Sequence, residues 1–263
     1  MQLFTRCGSR LSALLLACSA ASAQSSAANA PLRVLFIGNS YIYVNDLPLV
    51  VADLAKAAHE PRPLEAEVVV AGGYTLEHHL TQGDAMHAIA RGRWDVVVLQ
   101  EQSTRPITDP EKMLRDVKPF ADAARKSGAR MVLYETWARE ATPRMQDSLS
   151  NVYHTAAASI GAKVAHVGDA WGAFRAQEGA LAATAHSVLF MDDGSHPSPT
   201  GTYLAASVVY ATIYGKSPIG LPAATRSTFD EPKPGPAPDA PPASVPLPLA
   251  KKLQELAWAA ARK

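Results

Sequence analysis

The sequence predicts an α/β fold, a three-layer α/β/α sandwich around a mainly five-stranded parallel sheet. Three observations predict it. Short apolar runs recur along the chain without polar alternation, as in strands covered on both faces. Segments with helical start and stop signals separate them. The strand, helix, strand order then repeats, which requires crossover connections and a parallel sheet.

The first strand is 32–38, "LRVLFIG", and it runs straight into Gly38-Asn39-Ser40 before a helix at 47–59. The second is 66–71, "AEVVVA", followed by Gly72-Gly73-Tyr74-Thr75 and a helix at 75–91. The third, 94–100, "WDVVVLQ", leads into Gln100-Glu101-Gln102-Ser103. Asp109-Pro110 then opens a helix over 110–127, and Gly128 closes it. Strands at 130–135 ("RMVLYE") and 163–167 ("KVAHV") flank a helix at 143–160. Asp169 reads as the cap of a helix over 169–179, and a further helix fits 199–214. The main domain spans 32–216, one domain without internal repeats. Residues 217–247 are loaded with proline and read as extended. The final segment, 248–263, places Leu249, Leu253, Leu256 and Ala257 on one helical face, which suits docking back onto the domain.

Composition narrows the function. With 263 residues, 48% hydrophobic and 19% charged, the chain can bury one core of ordinary size. A net charge of +1 without any Lys/Arg cluster gives no footprint for nucleic acid. Residues 1–23 read as a secretory signal peptide: Arg6 and Arg10, the apolar run "LSALLLACSA", then Ala21-Ser22-Ala23. That run is too short for a membrane-spanning helix. "LLAC" at Leu15 to Cys18 offers a second cleavage, leaving Cys18 as a lipid anchor. The expected location is therefore periplasmic or secreted, with a membrane-anchored lipoprotein as the alternative. Both cysteines, Cys7 and Cys18, fall in the leader, so the remainder has no thiolate for disulfide, nucleophile or metal.

In open α/β sheets, sites form beyond the carboxyl ends of the strands. Three successive strand ends here offer a hydroxyl at Ser40, a flexible backbone at Gly72-Gly73, and amides at Gln100 and Gln102. Downstream, "MDDGSHPSPTG" supplies Asp193 and His196 in a loop forced by Gly194 and Pro197. These are the parts of acyl transfer: a hydroxyl, a base to take its proton, a carboxylate to fix the base, and donors for the oxyanion. Taken singly each has a plainer reading, as turn, cap or surface amide. A second Asp-x-x-His, Asp84–His87, falls inside a helix and reads as a solvated face. His78-His79 points apart on a helix and makes a poor metal pair; Asp192, Asp193 and His196 as ion ligands find no supporting cluster. "AGGYTLEH" lacks both the phosphate-loop lysine and the dinucleotide fingerprint. Trp137 fits a pocket wall or the core equally well.

Taken together, the blocks resemble the SGNH (GDSL-like) hydrolase superfamily. "FIGNS" stands where that family has a strand running into Gly-Asp-Ser, with Asn39 for the acid. "GGYT" matches the oxyanion glycine best at Gly73, and "DGSHP" carries Asp-x-x-His-Pro in full. The likeness covers roughly 32–214 in the family's block order. The third block departs: Gly-x-Asn-Asp is expected and "QEQS" is present, with Gln102 in the asparagine register and Gln100 as the alternative. A "GNS" first block with a "LQEQS"-like third block resembles a poorly characterised branch of the superfamily. The resemblance implies a flavodoxin-like fold and a serine esterase without metal or other cofactor. Ser40 would be the nucleophile, His196 the general base, Asp193 its orienter, and the Ser40 and Gly73 N–H groups with a glutamine amide the oxyanion hole. The implied partner is a small-molecule or glycan ester. The departing third block sustains a second expectation, a weak or inactive glycan- or lipid-binding protein on the same fold.

Overall fold

Uninterrupted Val, Leu and Ile runs pair side by side in the computed structural model, which describes residues 30–179, 186–228 and 243–263. The leader at 1–23, including Cys18, and the heart of the proline-rich segment lie outside the described residues. Strands β1 (Leu32–Gly38), β2 (Leu64–Val70), β3 (Val96–Leu99), β4 (Arg130–Tyr134) and β5 (Lys163–Ala165) form one parallel sheet, ordered β2-β1-β3-β4-β5. Phe36 stands opposite Val68 on one side and Val98 on the other. The order reverses between β1 and β3, so the crevice that such sheets use for ligands opens just past Gly38.

Alternate residues of each strand feed two separate cores. Val34, Phe36, Val96, Val98, Val132 and Tyr134 pack under helices α2 (Leu47–Ala57), α8 (Val167–Glu178), α9 (Pro199–Tyr214) and α10 (Leu247–Ala261). Leu35, Ile37, Val97, Leu99, Met131 and Leu133 pack under α4 (Asp84–Arg91), α6 (Pro110–Ser127) and α7 (Gln146–Ile160). Burial on both faces is why the strands carry no polar alternation. Helix α9 is buried from Gly201 to Ile213, sheathed by α2, α8 and α10. Helix α10 buries Ala250, Leu253, Ala257 and Ala260, and Gln254 Nε2 donates to the Tyr203 hydroxyl at 2.6 Å. Strands β6 (Ala224–Thr225) and β7 (Ala243–Ser244) pair antiparallel where the chain returns to it.

Several boundaries differ from the sequence expectation. The segment at 75–91 is two helices, α3 (Leu76–Gln82) and α4, because Gly83 turns left-handed (φ 84°) between them. One turn of helix, α1 (Ser40–Tyr43), follows β1 directly, and another, α5 (Arg105–Thr108), precedes α6. Asp169 is not a cap. Helix α8 starts two residues earlier, with His166 at the cap position, and Asp169 sits in its first turn beside Ser150 and Lys263. Among the described residues, no helix is long and apolar enough to cross a membrane.

Candidate active site

The chain leaves β1 through Gly38, where any side chain would collide. A Cβ there would run into Gln100 Oε1 and lie 2.7 Å from Ile42 Cδ1. Asn39 then caps α1, its Oδ1 accepting from Tyr41 N–H at 3.1 Å. Its Nδ2 donates to the Tyr74 carbonyl at 2.9 Å, fastening the first strand end to the second. Ser40 opens α1 at the sheet rim, and its own N–H has no partner among the described residues. Across the crevice, Gly73 holds φ 71°, and a Cβ at this position would meet nothing within 4 Å, so only its backbone conformation demands glycine.

The second half of the site arrives 156 residues later. His196 Nε2 lies 2.9 Å from Ser40 Oγ, and His196 Nδ1 lies 2.5 Å from Asp193 Oδ2. The other oxygen, Asp193 Oδ1, accepts from the Ser195 and His196 N–H groups, each at 2.9 Å, which fixes the carboxylate within its own turn. Burial works against charge on Asp193, but these hydrogen bonds from the His196 ring and the two backbone groups outweigh it and hold the carboxyl below its ordinary range. The turn is anchored outward as well: Asn45 Nδ2 donates to the Pro197 carbonyl, and Ser198 caps α9.

No family model and no curated protein matches the chain. Among solved structures, a protein from Slackia heliotrinireducens provisionally assigned as an SGNH hydrolase is 31% identical, with a TM-score of 0.58 over 70% of this chain and 99% of that one. The chain belongs to the SGNH hydrolase superfamily. A DUF4886 family protein from Bacteroides uniformis shares the fold at 16% identity and TM-score 0.62, over 88% of this chain and 94% of that one. The acetyl xylan esterase AlAXEase does so at 15% identity and TM-score 0.57, over 69% and 99%.

Within the SGNH frame, the third block is arranged differently from the sequence expectation. Gln100 is fully buried and both ends of its amide are engaged: Oε1 accepts from Asn39 N–H at 2.9 Å and Nε2 donates to the Glu101 carbonyl at 2.5 Å. One of the two Nε2 hydrogens of the alternative donor, Gln100, is thereby committed to the backbone of its own strand end. Gln102 Oε1 accepts from Thr104 N–H, the Thr104 hydroxyl and Arg105 N–H, while its Nε2 has no partner among the described residues. Trp137 is core and not pocket wall. It is fully buried, stacked between Tyr41 (4.4 Å) and Trp171 (4.0 Å), and its Nε1 donates to the Ser195 carbonyl at 3.0 Å.

Two functional supports are invisible in the sequence. His79 is buried and donates from Nε2 to the Gly38 carbonyl at 2.8 Å, with burial lowering its affinity for a second proton. His78 instead uses Nδ1 in the capping box of α3, so the pair does point apart. Arg139 bridges the Ser195 and Ser103 hydroxyls, and Ser195 Oγ is also 2.8 Å from the Tyr41 hydroxyl. Its guanidinium thus ties the third and fourth strand ends to the His196 turn. No local motif marks either residue, since their partners are carbonyls and hydroxyls far away in sequence. Asp84 and His87 lie exposed on α4, in keeping with a solvated face.

Proposed function

We propose that the protein is an exported serine esterase that hydrolyses carboxylic esters, with O-acetyl or acyl groups on carbohydrates as the substrate class. The observation that carries this reading is the 2.9 Å approach of His196 Nε2 to Ser40 Oγ with Asp193 behind the ring. Asp193 favours the tautomer with hydrogen on Nδ1, leaving the Nε2 lone pair for the serine proton. As Ser40 Oγ attacks the ester carbonyl, His196 takes that proton and then delivers it to the departing alcohol. Water enters by the reverse sequence and frees the acid. The Ser40 and Gly73 N–H groups and Gln102 Nε2 would receive the oxyanion, and donors of this type are each worth about 100- to 1000-fold in turnover. The leader at 1–23 supports export, and acetyl xylan ester chemistry in a neighbour of the same fold supports the glycan assignment.

The third block, QEQS where the family has Gly-x-Asn-Asp, favours one rival, an SGNH-fold binding protein with little or no turnover. A fluorophosphonate probe followed by peptide mass spectrometry decides between them. Labelling at Ser40 that disappears in Ser40→Ala, together with release of acetate from acetylated sugars in the presence of a chelator, is the expected result. Folded protein that takes no label sinks the esterase reading. Sequencing the mature N-terminus after cell fractionation tests export and distinguishes cleavage after Ala23 from lipidation at Cys18.

A further inference from the structure

Four potential metal ligands converge where β4 and β5 end, away from the serine. Glu135 follows β4 directly, His166 follows β5 directly, Asp169 lies in the first turn of α8, and His154 projects from α7. One atom from each, a ring nitrogen or a carboxylate oxygen, lies within 4.8 Å of all the others. His166 Nδ1 is 3.0 Å from Glu135 Oε2, 3.3 Å from His154 Nε2 and 3.7 Å from Asp169 Oδ2. A tetrahedral zinc ion with bonds of 2.0–2.1 Å sets neighbouring ligand atoms about 3.3 Å apart.

Protons alone satisfy this cluster poorly. His166 Nδ1 carries one hydrogen at most, yet it faces three atoms that each offer a lone pair. Glu135 is completely buried, and its partners are the Ser150 hydroxyl, the Gln146 amide and His166, with no lysine or arginine among the described residues within ion-pair reach. A buried carboxylate without a permanent cation is costly. The surroundings also aim the ligands. Ser150 Oγ sits 2.6 Å from Glu135 Oε1 and 2.9 Å from Asp169 Oδ1, which leaves Oε2 and Oδ2 turned to the centre. His154 is exposed and borders a cleft of about 600 Å³ shared with His166 and Lys263, which gives an ion a path in. Lys263 Nζ, 2.7 Å from Asp169 Oδ2, holds a positive charge at the mouth and is the group an ion displaces.

We propose that Glu135, His154, His166 and Asp169 bind one divalent transition-metal ion, with zinc the best fit to two imidazoles and two carboxylates. The ion is structural. It joins two strand ends and two helices, and it takes no part in chemistry at Ser40.

The test uses the full chain after dialysis against a chelator, titrated with zinc chloride by calorimetry and with cobalt(II) by visible absorption. One equivalent should bind, with tetrahedral cobalt bands and a raised melting temperature. His154→Ala, at an exposed position that leaves the core intact, should weaken zinc by more than the 10- to 100-fold typical of losing a group behind a ligand. Asp169→Asn should do likewise, and Lys263→Met should tighten binding. Fluorophosphonate labelling of Ser40 should be equal in wild type and His154→Ala. Failure to bind one equivalent, binding indifferent to His154→Ala and Asp169→Asn, or binding abolished only by His196→Ala would each overturn the proposal.

Discussion

Asn39 performs two tasks that the family's usual aspartate cannot combine. Its oxygen caps α1 and its amide nitrogen donates to the Tyr74 carbonyl, so the amide positions Ser40 and the Gly72-Gly73 turn together. Asn39→Asp keeps the cap but sets a carboxylate oxygen against that carbonyl. Leaving a buried polar group unsatisfied costs about 1–3 kcal/mol. Urea unfolding should therefore show a loss of that size, accompanied by a fall in kcat for ester hydrolysis. Gly73→Ala isolates the turn itself. With open space around it, the methyl's cost is the left-handed backbone alone, about 1–2 kcal/mol. Turnover should drop when the Gly73 N–H shifts, yet by less than in Ser40→Ala, as single-turnover measurements on an acetyl ester would reveal.

At the scale of elements, the end of β3 carries an unusual carboxyl. Glu101 Oε1 accepts from Leu76 N–H, at the start of α3, and from Gln102 N–H, while Oε2 is buried without a hydrogen-bond partner among the described residues. Burial outweighs those two hydrogen bonds and pushes the Glu101 carboxyl up to about 7. A raised value means the folded protein holds this proton more tightly than the unfolded chain. Its contribution is thus complete below about pH 4.5 and lost as pH rises through about 7, on the order of 3 kcal/mol in all. Glu101→Gln should flatten that decline, and the contrast is read from urea midpoints at pH 5 and pH 8. The strands themselves were legible because burial on both faces leaves continuous apolar runs. The break at Gly83 was not, since Asp84 resumes a helical pattern at once, and the single turns α1 and α5 are too short to show periodicity. Ser40, Asp193 and His196 stood out by residue type and block order. The hydrogen bonds of the alternative candidate Gln100 were not legible, because strand register says which face a residue occupies and not which hydrogen bonds its amide prefers.

For the whole molecule, stability hinges on how α9 is enclosed. This helix is apolar around its circumference, and α10 covers the side that α2 and the sheet leave open. Leu253 is fully buried in that seam. Leu253→Ala should cost about 2–5 kcal/mol, with the upper part of the range applying if the cavity does not close. Thermal melts should show the loss, and specific activity per folded molecule should stay unchanged, because the contacts among Ser40, His196 and Asp193 are made by residues outside α10. A variant that lost activity without losing stability would contradict this separation.

The 156-residue interval between Ser40 and His196 has a consequence for the order of synthesis. Ribosomes deliver the serine early, just past β1, the first strand made and an interior one of the sheet. The imidazole that would withdraw its proton is made only after all five strands, and it meets Ser40 only once the sheet and α9 have assembled around the intervening chain. On the proposed mechanism, a nascent or truncated polypeptide would therefore carry a hydroxyl with ordinary alcohol reactivity. Activation would then coincide with completion of the fold.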